Sequence, residues 1–127
     1  MSPAGPVVAV VDDESAVRKS MARLIRSAGL SVSTYASGAE FLASLAEHRP
    51  VCAIVDLHMP RMDGFDVIES LREQAVATPV ILITGYDTPE TRVRATKVGT
   101  AAYFRKPVDD EALLAVIARF ADGEFAL

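Results

Sequence analysis

The chain is poor in the features that mark several functional classes. It has one cysteine, Cys52, so no internal disulfide can form. That residue lies in the apolar run VCAIV, the setting of a small buried hydrophobe, and burial makes a thiol a poor redox sensor. Basic residues are not in excess: 13 Lys and Arg face 17 Asp and Glu, for a net charge of -4. This argues against direct nucleic-acid binding by these residues, which takes a basic patch, and leaves open a partner domain that binds DNA. No apolar run approaches the length that spans a bilayer. The opening MSPAGP lacks the charged region and long apolar segment of a secretory signal. A soluble, reducing, cytoplasmic setting without membrane contact is expected. There is no internal repeat, low-complexity tract or linker, so residues 1–127 are expected to form a single domain, with 1–6 a loose N-terminal segment.

What is present is hydrophobic pattern. Half of the 127 residues are hydrophobic, enough for a real core. Five short apolar runs predict strands: VVAVVD (7–12), LSVSTY (30–35), VCAIVD (51–56), PVILIT (79–84) and AAYFRK (101–106). Three are nearly continuous and β-branched, as in strands covered on both faces, whereas LSVSTY alternates and belongs nearer a sheet edge. Amphipathic segments separate them. In 15–28, Val17, Met21, Leu24, Ile25 and Ala28 share a face, and Gly29 supplies a stop. Ser37 to Glu40 forms a capping-box pattern ahead of Phe41, Leu42 and Leu45. Asp63 is the N-cap of the third helix, Thr88 with Pro89 opens the fourth, and Asp109 caps the fifth. The fourth is weakly apolar, with Val93, Ala95 and Val98 beside Arg92, Arg94 and Lys97. Strand and helix alternate five times, which predicts a parallel sheet with helices on both faces.

In such sheets ligands bind beyond the carboxyl ends of the strands. Strand 1 ends at Asp12-Asp13, strand 3 at Asp56, strand 4 at Thr84-Gly85 and strand 5 at Arg105-Lys106-Pro107. Three converging carboxylates repel; at about 4 Å and intermediate dielectric each pair costs on the order of 4 kcal/mol. Lys106 or a divalent cation must compensate, and oxygen ligands without cysteine suit Mg²⁺ or Mn²⁺. Each group also has an ordinary reading. Asp12-Asp13 fits an acidic pair at a helix N-terminus, Lys106 a solvated surface charge, Thr84 a strand residue and Tyr103 a core aromatic.

Taken together, VVDDE, VDLHMPRMDG, ILITGY and FRKP occur in an order and spacing that resembles the receiver domain of bacterial two-component response regulators. The resemblance covers essentially the whole chain. TYASGAEFLA and ILITGYDT are most similar to receivers that precede a LuxR-type helix-turn-helix output. The family implies a flavodoxin-like (βα)5 fold, a doubly wound five-stranded parallel sheet in strand order 2-1-3-4-5. It implies Asp56 as phosphoacceptor, a carboxylate nucleophile. Mg²⁺ would be held by Asp12, Asp13, Asp56 and the backbone carbonyl of His58. Lys106 would pair with Asp56 and later with the phosphoryl group, and Thr84 would donate its hydroxyl to a phosphoryl oxygen. Thr84 and Tyr103 would carry the switch to the face made by helix 4, strand 5 and helix 5. Pro107 would follow a cis bond, with Gly85 structural, and His58 and Tyr86 would tune the lifetime of the acyl phosphate.

The implied partners are a sensor histidine kinase or phosphotransfer protein, and a downstream protein or detached output domain, with a phosphorylation-dependent homodimer among the options. The tail DGEFAL has no linker character and leans toward a stand-alone receiver, acting as a phosphate sink or adaptor. A phosphatase with an aspartate nucleophile carries a second acid two residues later, where this chain has His58, so only slow self-hydrolysis is expected. A flavodoxin-like electron carrier is opposed by DDES, whose acids repel a flavin phosphate. A receiver that works without phosphorylation is opposed by the intact acidic set and Lys106.

Overall fold

A computed structural model describes residues 6–122. The expectations for the first residues and the DGEFAL tail fall wholly or mainly outside that span. Five parallel strands, β1 (Val7–Val11), β2 (Ser31–Tyr35), β3 (Cys52–Asp56), β4 (Val80–Thr84) and β5 (Ala102–Arg105), lie in the order β2-β1-β3-β4-β5. They alternate with α1 (Ser15–Ser27), α2 (Gly38–Ser44), α3 (Gly64–Glu73), α4 (Pro89–Val98) and α5 (Asp110–Ala121).

The strand residues divide by parity, because successive side chains point to opposite faces. Ala9, Val11, Ala53, Val55, Val80 and Leu82 pack in one core with Phe41 of α2, Phe65, Ile68 and Leu71 of α3, and Ala95 and Val98 of α4. Val8, Val10, Cys52, Ile54, Ile81 and Ile83 pack in the other with Ile25 of α1 and Leu113 and Ile117 of α5. The central strands β1, β3 and β4 are buried nearly throughout, whereas β2 and β5 are half-exposed edges. Burial lifts the Cys52 thiol to about 12, which keeps it protonated and unreactive.

Side chains fix most helix starts. Asp63 and Asp66 form a reciprocal capping box at α3, and Thr88 and Thr91 form one at α4. Asp109 accepts from the Ala112 N–H. At α2 the expected box is only half made: Ser37 Oγ accepts from the Glu40 N–H, but Glu40 Oε1 reaches the N–H of Ala36, one residue before the cap. The α1 stripe also shifts. Ala22 is buried, while Ala28 lies exposed at the C-cap ahead of Gly29, whose φ of 84° takes the left-handed turn that ends the helix.

The order places β1 between β2 and β3. Chain direction across the sheet reverses there, opening a crevice at the carboxyl ends of β1 and β3.

Candidate functional site

Five residues meet at that crevice. Asp12 follows β1, Asp56 ends β3, Thr84 ends β4 and Lys106 follows β5. Asp13 is exposed at the rim, whereas Asp12 and Asp56 are 4% and 6% exposed. Each of the three carboxylates offers an oxygen within 4.8 Å of the other two. Lys106 Nζ stands 3.7 Å from Asp56 Oδ1.

Burying carboxylates this close is unfavourable, and their proton affinities record it. Asp56 is raised above the ordinary carboxylate range, chiefly because burial penalises its charged form. Lys106 and the His58 backbone N–H pull it down, and Asp13 pushes it up. Asp12 is raised for the same leading reason, with the Glu14 N–H opposing and Asp56 adding repulsion. One lysine therefore does not neutralise the set. The remaining negative potential and the hard oxygen donors fit a small divalent cation such as Mg²⁺. Asp12, Asp13 and Asp56 are the side chains that would hold it.

Thr84 is fully buried, and its hydroxyl is already engaged. Oγ1 accepts the Tyr86 backbone N–H at 2.9 Å and lies 2.9 Å from His58 Nε2. The exposed His58 and Tyr86 rings meet edge to face, with centroids 6.3 Å apart. The His58–Thr84 bond was not legible in sequence, because it joins the loop after β3 to the end of β4, 26 positions away. Nor was the anchoring of Tyr103. That residue packs at the edge of the first core, while its hydroxyl donates to Asp87 Oδ1 and pairs with Thr91 Oγ1, both at 2.9 Å. Arg92 holds the same Asp87 oxygen at 3.0 Å. The capping pattern points to Thr91; nothing local points to its contact with β5.

The Lys106–Pro107 peptide bond is cis, and the Lys106 N–H donates to the Thr84 carbonyl at 2.8 Å, tying the β5 end to β4. Gly85 is less constrained: an added Cβ meets only Lys106 Cδ at 3.6 Å, an ordinary contact. Gly64 is crowded, since a Cβ there falls 2.6 Å from Leu82 Cδ2 and 3.0 Å from Leu57 Cα, and so is Gly38, where it falls 2.8 Å from Met62 Sδ and Val67 Cγ2. A groove of about 560 Å³ leads from Asp12, Asp56 and Lys106 along Met21, Leu24 and Leu113, between α1 and α5.

Residues 8–118 match the family described as the response regulator receiver domain. The chain belongs to that family. It is 37% identical to the response regulator protein TodT of Pseudomonas putida over 117 residues, which are 92% of this chain and 52% of TodT. It is 36% identical to the transcriptional regulatory protein FixJ of Azorhizobium caulinodans over 87% of this chain and 52% of FixJ. The chain thus spans about half the length of these curated relatives. Among solved structures, FixJ-N superposes with a TM-score of 0.86 at 32% identity, over 98% of this receiver and all of that chain (100%). The chemotaxis protein CheY4 of Vibrio cholerae gives 0.84 at 32% identity, over 92% and 99% of the two chains. The fold and strand order of this receiver are those of the CheY-like structures it resembles. Among the described residues no helix is long and apolar enough to cross a membrane.

Proposed function

We propose that this receiver accepts a phosphoryl group on Asp56 and switches its α4–β5–α5 face in response. The observation that carries the reading is the buried Asp56, with Asp12 and Asp13 oxygens within 4.8 Å and Lys106 at 3.7 Å. A carboxylate held under that repulsion is a nucleophile in search of a cation and a transferable anion.

A phosphohistidine of a sensor kinase or phosphotransfer protein suits the donor role, approaching along the groove between α1 and α5. An Asp56 oxygen forms the new O–P bond as the P–N bond breaks, and the departing imidazole nitrogen keeps the electron pair. Phosphoryl transfer asks chiefly for positioning and charge neutralisation. Asp12 and Asp13, with the His58 carbonyl, would hold Mg²⁺, whose charge offsets that of the phosphoryl oxygens. Lys106 then moves its ammonium from the Asp56 carboxylate to the phosphoryl group, a double role suited to a flexible stem. Thr84 turns its hydroxyl to a phosphoryl oxygen. No side-chain acid stands at position 58, so the aspartyl phosphate is released slowly and the chain works as a switch, with at most slow self-hydrolysis.

The readout runs through Tyr103. Its ties to Asp87 and Thr91 lock β5 to the start of α4, and movement of Thr84 at the end of β4 disturbs that loop. Only Ala95 and Val98 of α4 are buried, so the helix is lightly held. Val93 on α4 and Tyr86 ahead of it are 55% and 70% exposed, leaving apolar surface on this face for a partner or a second copy. Relatives named as a transcriptional regulatory protein and a DNA-binding transcriptional regulator support a DNA-binding output element downstream. Thr84→Ala tests the coupling: Asp56 should still be phosphorylated, at a reduced rate, while the phosphorylation-dependent change at α4 and β5, followed by backbone NMR, is abolished. The same change persisting in Thr84→Ala would refute the switch.

A further inference from the structure

We infer that the His58 side chain restrains Thr84, holding the very hydroxyl that the phosphorylated state needs; the inference rests on reading Asp56 as the phosphoacceptor. Thr84 Oγ1 has one proton to give and accepts the Tyr86 N–H at 2.9 Å. The residue is fully buried, and a buried hydroxyl keeps its proton bonded. Among the described residues the acceptor in reach of that proton is His58 Nε2, at 2.9 Å. This assigns Nε2 as acceptor, with the ring proton on Nδ1. A phosphoryl oxygen on Asp56 would compete for the same proton.

The restraint is built to release. Thr84 sits in the β4 core end, but His58 is exposed on the loop after β3, so its ring can swing into water without opening a cavity. The Tyr86 N–H keeps Thr84 tethered from the other side. His58 is therefore a positioning residue that opposes activation, beyond any effect on the lifetime of the acyl phosphate. A hydrogen bond of ordinary net strength corresponds to about a five-fold shift in equilibrium.

The test uses beryllofluoride with Mg²⁺ as the phosphoryl mimic, titrated against the full chain and against His58→Ala, His58→Phe and His58→Gln. The Thr84 methyl NMR signal in untreated protein gives a second readout. Removing the acceptor in His58→Ala or His58→Phe should tighten binding about five-fold and move the untreated methyl signal. Gln places an acceptor near the position of Nε2, so His58→Gln should stay near the parent on both readouts. In a Thr84→Ala background, His58→Ala should have no effect on binding. Binding by His58→Ala equal to or weaker than the parent, or a His58→Phe that behaves like the parent, would overturn the restraint. If the parent bound no beryllofluoride, the phosphoacceptor reading itself would fall, and the methyl signal would report separately on the His58–Thr84 bond.

Discussion

Replacing Asp56 with asparagine should stabilise this receiver when divalent metal is withheld. Asp12 and Asp56 present oxygens no more than 4.8 Å apart. At an effective dielectric of about 20 their repulsion is at least about 3.5 kcal/mol. Lys106, 3.7 Å away, returns about 4.5 kcal/mol by the same arithmetic, reduced by water because its side chain is 32% exposed. These two terms nearly cancel. What is left is the burial of a charged carboxylate, the largest influence, and the repulsion from Asp13, which oppose ionisation, against the smaller help of the His58 backbone N–H; the balance stays unfavourable to the charge. The raised proton affinity of Asp56 has the same origin. The neutral amide keeps the size of the carboxyl group and one oxygen able to accept the His58 N–H, and drops the charge. A net gain in stability is expected near neutral pH, and each 1 kcal/mol of it is a Tm rise of about 4 °C for a chain of this size. The assay is thermal unfolding in chelator, repeated with saturating Mg²⁺. An ion bound by the folded parent and not by Asp56→Asn would stabilise the parent alone, so the gap should shrink or reverse with Mg²⁺. A lower Tm for Asp56→Asn in chelator would refute the reasoning, because Lys106 would then already balance the site.

The stability gap between the parent and Asp56→Asn in chelator should also depend on pH. Below the ordinary carboxylate range both states of the parent are protonated and the gap is smallest. As pH rises, the unfolded chain gives up its Asp56 proton first, the folded chain is penalised, and the gap widens until the raised folded value is passed; a gap that narrows through this window contradicts the sign. Lys106→Ala should slow phosphorylation by a small donor on the order of 100-fold, by loss of one preorganised charge; an unchanged stopped-flow rate would remove Lys106 from the mechanism. Gly64→Ala should lower Tm, because its Cβ meets Leu82 at 2.6 Å and the Leu57 backbone at 3.0 Å. Overpacking of this kind costs about 1–3 kcal/mol, and a neutral result would show that the β3–α3 loop yields freely.

Strands were legible because three of them are buried on both faces and carry unbroken β-branched runs. Strand 2 declared its edge position by alternating. Helix starts were legible where a capping side chain lies within three residues, as at Asp63, Thr88 and Asp109. The α1 face is only partly legible. Ala22, small and flanked by Met21 and Arg23, carries little weight in a hydrophobic pattern, yet it is buried. The α2 cap failed in one half because Glu40 had the choice of two adjacent N–H groups, and local spacing does not decide between them. At the site, the meeting of Asp12, Asp13, Asp56, Thr84 and Lys106 follows from strand ends sharing one rim. The bonds that restrain Thr84 and Tyr103 do not follow from it. They join the loop after β3 to the end of β4, and α4 to β5, through side-chain rotamers, and position along the chain carries no record of those.

The central claim is that Asp56 accepts a phosphoryl group. Acetyl phosphate with Mg²⁺, followed by intact mass on the parent and on Asp56→Asn, tests it most directly. The parent should gain the mass of one phosphoryl group and lose it on standing, with no gain by Asp56→Asn. An unmodified parent, or equal modification of both proteins, would contradict it.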